Sequence, residues 1–249
     1  MSRVLITGAG GGIGRAIAHA FATAGHTVAV HYSGNAQGAE ETLRSLPGEG
    51  HGIVTGDISD PETPPALIAT AAETLGGLDV LVNNAAVMVA HPIATTSYND
   101  WRAAWSRTLA VNVTGTADVS YCAARHMIGN GVQGRIISIG SRGAFRGEPD
   151  HPAYGASKAA VHAMSQSLAV ALAPHGIGVA AVAPGFTATD RVAARLTGAE
   201  GEAIRAQSPF GRVGTPEEVA SAVLWLASPG AIWASGTVID LNGASYLRT

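Results

Sequence analysis

Short apolar runs alternate with longer stretches of helical periodicity along nearly the whole chain. No other feature restricts the fold as much. Continuous Val, Ile and Leu runs without a polar alternate face read as strands buried on both sides. They fall at Arg3–Thr7, Thr27–Tyr32, His51–Thr55, Leu78–Val82, Arg135–Ile139, Gly178–Val182 and Val238–Leu241. Between them the spacing predicts helices over Ile13–Gly25, Ala36–Leu46, Ser97 to about Met127, and Pro152–Ala173. Asp60 reads as the cap of another, with Pro61 at its first position, running to Leu75 before Gly76-Gly77. Thr215 and Pro216 open a last helix through Ala227. Such alternation implies an α/β fold, a doubly wound parallel sheet with helices on both faces. No repeat or linker divides residues 1–249, so a single domain is expected. The least regular stretches are 140–151 and 186–214. The second carries Gly198, Gly201 and Pro209 and reads as a substrate lid.

Composition narrows the function classes. Hydrophobic residues make up 47% and charged residues 13% of 249, which excludes a disordered chain. The net charge is −3, with no basic stripe for nucleic acid and no polybasic patch for a membrane. No apolar run is long enough to suggest a membrane span. The lone Cys122 rules out an internal disulfide and fits a cytoplasmic setting. Nine histidines form no H-E-x-x-H pair, so no metal is expected. His162, Trp101 and Trp105 read as packing residues.

Ligands of such a sheet bind at the carboxyl ends of its strands. After the first strand comes Thr7-Gly8-Ala9-Gly10-Gly11-Gly12-Ile13-Gly14, with five glycines between strand and helix. They allow a sharp turn and a close backbone approach, and the helix start offers N–H groups to a phosphate. The spacing is G-x-x-x-G-x-G at Gly8, Gly12 and Gly14, not G-x-G-x-x-G. After the second strand, His31-Tyr32-Ser33-Gly34-Asn35 carries no acid to hold a ribose diol and repel a 2′-phosphate. Ser33 and Asn35, with His31 as a further candidate, are donors there, so the reading favours NADP(H) over NAD(H). No arginine precedes Gly12 in the glycine turn to strengthen it. Asp57, beside Ile58 after the third strand, is placed to accept from an adenine amino group. Asn83-Asn84-Ala85-Ala86 after the fourth can satisfy strand-end backbone and leave room for a flat ligand.

The chemistry lies after the fifth strand. Ser141 follows Gly140, and Tyr154 and Lys158 share one face of the next helix, four residues apart. Lys158 is the only lysine among 15 basic residues. A phenol with pKa near 10 is a poor acid at neutral pH. An ammonium one turn away favours the phenolate and brings proton exchange within range. Ser141 can then hydrogen-bond a substrate oxygen where charge develops.

Thr7–Gly14, Asp57, Asn83–Ala86, Asn112 in Leu109-Ala110-Val111-Asn112, Ser141, Tyr154, Lys158 and Pro184-Gly185 together resemble the short-chain dehydrogenase/reductase family from end to end. The pattern is most similar to its 3-oxoacyl-carrier-protein reductase-like members. The resemblance implies a Rossmann-like NAD(P)(H)-dependent oxidoreductase interconverting a ketone and a secondary alcohol, and a homotetramer. It makes Tyr154 the acid/base and gives Lys158 the nicotinamide ribose as well as the phenol. Ser141 positions the substrate oxygen, Asn112 helps hold a proton-relay water, and Thr187 contacts the nicotinamide carboxamide. Gly8, Gly12, Ile13, Gly14, Ser33, Asp57, Ile58 and Asn84 complete the cofactor set. Two departures are Ala86, where many relatives carry glycine, and the thin basic charge at Arg125 and Arg135, which weighs against a carrier-protein partner. A 3-oxoacyl thioester, a sugar or another small alcohol remains open as substrate. So does a nucleotide-sensing protein without turnover.

Overall fold

A computed structural model describes residues 1–248, with the backbone alone at Arg191. The seven strands are β1 (Arg3–Ile6), β2 (Thr27–Tyr32), β3 (Gly52–Thr55), β4 (Val80–Asn83), β5 (Arg135–Ile139), β6 (Gly178–Pro184) and β7 (Val238–Leu241). They form one parallel sheet in the order β3-β2-β1-β4-β5-β6-β7. The helices are α1 (Gly12–Thr23), α2 (Ala36–Ser45), α3 (Thr63–Leu75), α4 (Tyr98–Leu109), α5 (Thr116–Gly129), α6 (Gly143–Arg146), α7 (Pro152–Leu172), α8 (Asp190–Ala193), α9 (Gly198–Arg205) and α10 (Pro216–Ala227).

The central strands bury both faces, as their continuous apolar runs require, while the edge strands β3 and β7 are only partly covered. Val4 and Ile6 of β1 face α1 and α10 in a core with Phe21, Val82, Ile137 and Val223. Leu5 between them faces the other side, with Leu81, Ile136, Leu67, Val119 and Met127 from α3 and α5. The strand order reverses between β1 and β4, which opens a crevice at their carboxyl ends. Thr7 spans that point, its Oγ1 accepting from the N–H groups of Asn84 and Ala85, both at 3.0 Å.

Three expectations are corrected. α3 starts at Thr63, not Pro61. Asp60 accepts from the Glu62 N–H at 3.1 Å in a turn ahead of the helix, and the prolines of the first turn are Pro64 and Pro65. The long helix from Ser97 is split, because Ala110–Gly115 forms a wider π-helical turn between α4 and α5. Such turns recur at functional sites, and this one holds Asn112. The stretches read as least regular contain the short helices α6, α8 and α9. Ser97 caps α4, and Thr215 caps α10 in a reciprocal box with Glu218.

His162 on α7 is 5% exposed and stacks on Phe145, with ring centroids 5.0 Å apart. Among the described residues neither ring nitrogen has a hydrogen-bond partner. Burial first, then the charges of Lys158 and Arg248, lower its pKa from 6.5 to about 4. The unfolded chain therefore binds more protons between those values, and stability falls as pH drops through that window. We expect a loss on the order of 2–3 kcal/mol between pH 6.5 and 4 from this group. Denaturant melts at both pH values, for the wild type and His162→Leu, check it. The variant should show a smaller difference.

Candidate functional site

The glycine turn is built by close approach. Gly8 and Gly12 take left-handed φ values of +66° and +52°. A Cβ on Gly14 would stand 2.5 Å from the Gly8 carbonyl oxygen and 2.6 Å from Asn84 Nδ2. The first turn of α1 has no side-chain cap, so its N–H groups are left for a ligand. Asn84 donates from Nδ2 to the carbonyls of Thr7 and Gly8, both at 2.9 Å, tying β4 to the turn.

His31 is 1% exposed, and its ring is fully committed. Nδ1 accepts from the Gly8 N–H at 3.1 Å, so Nε2 carries the proton and donates to Gly56 O at 3.0 Å. Burial lowers its pKa. It is a neutral brace under the turn, and it is not placed to donate to a phosphate. Asn35 likewise serves the scaffold, capping α2 and donating to Gly10 O at 3.1 Å. Arg15, on α1, brings the cation that the glycine turn lacks. It reaches Thr42 Oγ1 at 2.9 Å, Gly38 O at 3.1 Å and Glu41 at 3.4 Å. Asp57 accepts from the Ser59 hydroxyl at 2.7 Å and from the Ser59 N–H at 3.0 Å. It pairs with Arg107 at 3.2 Å. The Ser59 bonds, followed by the Arg107 charge, hold its carboxyl below the usual range.

At the other end, Lys158 is 4% exposed. Its Nζ donates to Ile139 O at 2.7 Å and lies 5.6 Å from the centre of the Tyr154 ring. Ser141 Oγ accepts from the Gly143 N–H at 2.9 Å, at the end of β5. Asn112 is braced on both sides. It exchanges hydrogen bonds with the Val87 backbone at 2.8 and 2.9 Å and donates to Ser157 Oγ at 3.0 Å. Ser157 in turn donates to Tyr154 O at 2.8 Å. Both amide protons of Asn112 are thus used within the scaffold. Buried His91 adds a second brace. Its Nε2 accepts from the Ala153 N–H at 3.2 Å, in the first turn of α7, while Nδ1 bonds Val89 O at 2.7 Å.

These parts surround one cavity of about 910 Å³. Every residue expected to hold cofactor lines it, from Gly8, Ser33 and Asp57 to Thr187, as do Ser141, Tyr154 and Lys158. Asn112 stands behind the wall. Arg15, Arg107, Arg142 and Glu148 also line it, and sequence reasoning missed them. Arg15 had a legible signal, since it follows Gly14 on the α1 face turned to α2. His91 and Arg107 had none, because their partners are 62 and 50 residues away. A cavity of this volume, lined by the glycine turn and by the phenol–ammonium pair, fits a dinucleotide.

Fold and site thus define a nucleotide-binding α/β protein with a tyrosine–lysine pair beside the ligand crevice. The family model described as enoyl-(acyl carrier protein) reductase matches residues 8–243. The L-rhamnose 1-dehydrogenase (NAD(P)(+)) of a Sphingomonas strain is 35% identical over 98% of this chain and 96% of its own. The 3-oxoacyl-(acyl-carrier-protein) reductase FabG of Vibrio cholerae is 35% identical over 98% of this chain and 96% of its own. A crystal structure of a short-chain dehydrogenase from Burkholderia cenocepacia in complex with NADP superposes with a TM-score of 0.87. It is 33% identical and covers 98% of this chain and 97% of that one. The chain belongs to the short-chain dehydrogenase/reductase family, and it is an NAD(P)-dependent oxidoreductase acting on the CH–OH/C=O pair.

Gly14→Ala tests the close approach. The clash is with backbone, which cannot rotate away, so α1 must move off β1 and β4. We expect a loss of about 1–3 kcal/mol of stability, read by thermal melts, together with weakened NADPH binding by fluorescence titration.

Proposed function

We propose that this chain is an NADP(H)-favouring reductase of small ketones, with Tyr154 as acid/base. The observation that carries it is the burial of Lys158 beside Tyr154 in the wall of the dinucleotide crevice. Gly8, Gly12, Ile13 and Gly14 would hold the pyrophosphate half. Asp57 and Ile58 would flank the adenine, Asn84 the middle, and Lys158 and Thr187 the nicotinamide end. When bound there, the cofactor supplies a hydride to the carbonyl carbon.

The chain's own residues handle the oxygen. Ser141 Oγ hydrogen-bonds it and holds it near the Tyr154 hydroxyl. As the carbonyl becomes an alcohol, its oxygen takes the Tyr154 proton, and the Lys158 ammonium stabilises the phenolate left behind. Asn112 acts through Ser157, holding the α7 turn that carries both groups. Residues 186–214 act as a lid within a single domain. Left-handed glycines at Gly198 and Gly211, and the cavity contacts of Phe186, Thr189 and Val192, support it. Ser33 just after β2 and Arg15 against α2, both lining the cavity, with no acid among residues 31–35, support NADP(H). The single cysteine fits a cytoplasmic setting, and among the described residues no helix is long and apolar enough to cross a membrane.

Tyr154→Phe should still bind NADPH and lose ketone reduction by on the order of a hundredfold or more, followed by nicotinamide absorbance. Undiminished turnover would sink the assignment. In the same assay the wild type should use NADPH with higher kcat/KM than NADH, and Arg15→Gln should narrow that gap.

A homotetramer is part of the same reading. Trp233, Trp225 and Ile232 near the end of α10 are 98%, 50% and 42% exposed, and Val170 and Tyr121 on α7 and α5 are 79% and 65% exposed. Apolar patches of this kind mark contact surfaces. Light scattering should give four times the chain mass of 25.1 kDa. A monomeric mass would refute it.

A further inference from the structure

Arg142 follows Ser141 directly and is only 5% exposed. Its backbone N–H donates to Pro184 O at 2.9 Å, which locks the residue between the ends of β5 and β6. Its side chain donates from Nη1 to Ser245 Oγ at 2.6 Å and lies 5.3 Å from the centre of the Phe186 ring. Arg195 lies 5.4 Å from the same ring. Among the described residues no carboxylate stands within ion-pair distance of Arg142. A buried guanidinium without a counter-ion is costly unless something else completes it.

The space around Arg142 tells what that is. It lines the main cavity beside Ser141 and also a second cavity of about 300 Å³ behind Phe186. The guanidinium thus stands at the junction of the reaction chamber and an annex, where Ser208, Asn242 and Ser245 are neutral polar neighbours and the two acids, Glu218 and Asp240, are paired with Arg212 and Arg248. Glu148 is one of the acids on the same chamber wall, with Glu41, Asp57 and Asp190. The Glu148 carboxylate rests against Gly143, where an added Cβ would meet Oε1 at 2.5 Å, and it makes no ion pair with Arg142 among the described residues. Burial raises the Glu148 pKa, and the charges of Arg142, Arg195 and Arg146 oppose that shift from a distance. Desolvation lowers the Arg142 pKa, yet a guanidinium stays charged at neutral pH.

We propose that Arg142 is a specificity-determining residue that pairs with a carboxylate on the substrate. The substrate class is then oxo acids and the matching hydroxy acids, with the carbonyl at Ser141 and Tyr154 and the carboxylate at Arg142. The planar fork of arginine matches a carboxylate in two parallel hydrogen bonds, and a neutral group in its place leaves the buried charge unpaired. This inference rests on the reductase reading above and adds the substrate class to it.

The test uses the full-length enzyme with NADPH. Initial rates are measured for 3-oxobutanoate, 4-oxopentanoate, 5-oxohexanoate and 6-oxoheptanoate, each against its methyl ester and primary amide. For the chain length that spans the two groups, the acid should exceed both neutral forms in kcat/KM by on the order of a hundredfold, mainly through KM. Arg142→Gln, which keeps a donor for Ser245, should bring the acid-to-ester ratio to near one. Arg142→Lys, which keeps charge without the fork, should retain part of it. Neutral forms used as well as the acids at every length overturn the inference, and wild-type rates alone decide that point. An Arg142→Gln enzyme with an unchanged ratio does so too, leaving Arg142 a structural role. Failure to reduce any acid also overturns it. The reductase reading stands apart: turnover of any neutral ketone that Tyr154→Phe abolishes preserves it.

Discussion

A single close approach governs the ligand crevice. The backbone of Gly8, at the end of β1, lies against Gly14 in the first turn of α1, closer than any Cβ permits. That contact sets where the helix starts and leaves its N–H groups facing the crevice. Thr7 and Asn84 carry the constraint across to β4, the two residues exchanging side-chain and backbone hydrogen bonds at the switch point. His31 carries it to β2 and β3 through two backbone contacts on its ring. Three strands are thereby locked to one turn, and the side chains of Thr7, His31 and Asn84 are engaged within the scaffold before any ligand arrives.

The reacting end depends on a different lock. Tyr154 and Lys158 face the cavity because the first turns of α7 are held from two directions. Asn112 reaches Ser157 from the π-helical turn between α4 and α5, and His91 accepts an N–H that the start of a helix would otherwise leave unpaired. Both braces also grip the segment after β4, at Val87 and Val89. The loop that borders the substrate space and the helix that carries the phenol are therefore one mechanical unit. The Lys158 bond to Ile139 O fastens that unit to the end of β5.

Much of the fold was legible because the patterns are local. Continuous apolar runs betrayed the strands, and all seven appear within a few residues of their expected places, the central ones buried on both faces. Boundaries slipped where two local signals competed. Pro61 and the pair Pro64-Pro65 both suit a helix start, and the second won once Asp60 was engaged in its own turn. The π-helical turn was illegible, since it widens the helix without breaking its apolar periodicity. His31 and Asn35 looked like ligand donors because a sequence displays donors and not their partners.

The sequence alone determined the order of strands and helices, the glycine turn after the first strand, and the one-turn spacing of Tyr154 and Lys158. Each is a relation between near neighbours, where steric limits and helical periodicity act directly. Only the tertiary structure decided which polar groups are spent on the scaffold and which are left to the cavity. It set Arg15 against α2, engaged Asp57 with Arg107, and buried Arg142 between two cavities with no carboxylate within ion-pair distance among the described residues. Those outcomes depend on burial and on contacts between residues far apart in the chain, and neither exists until the sheet has closed around its helices.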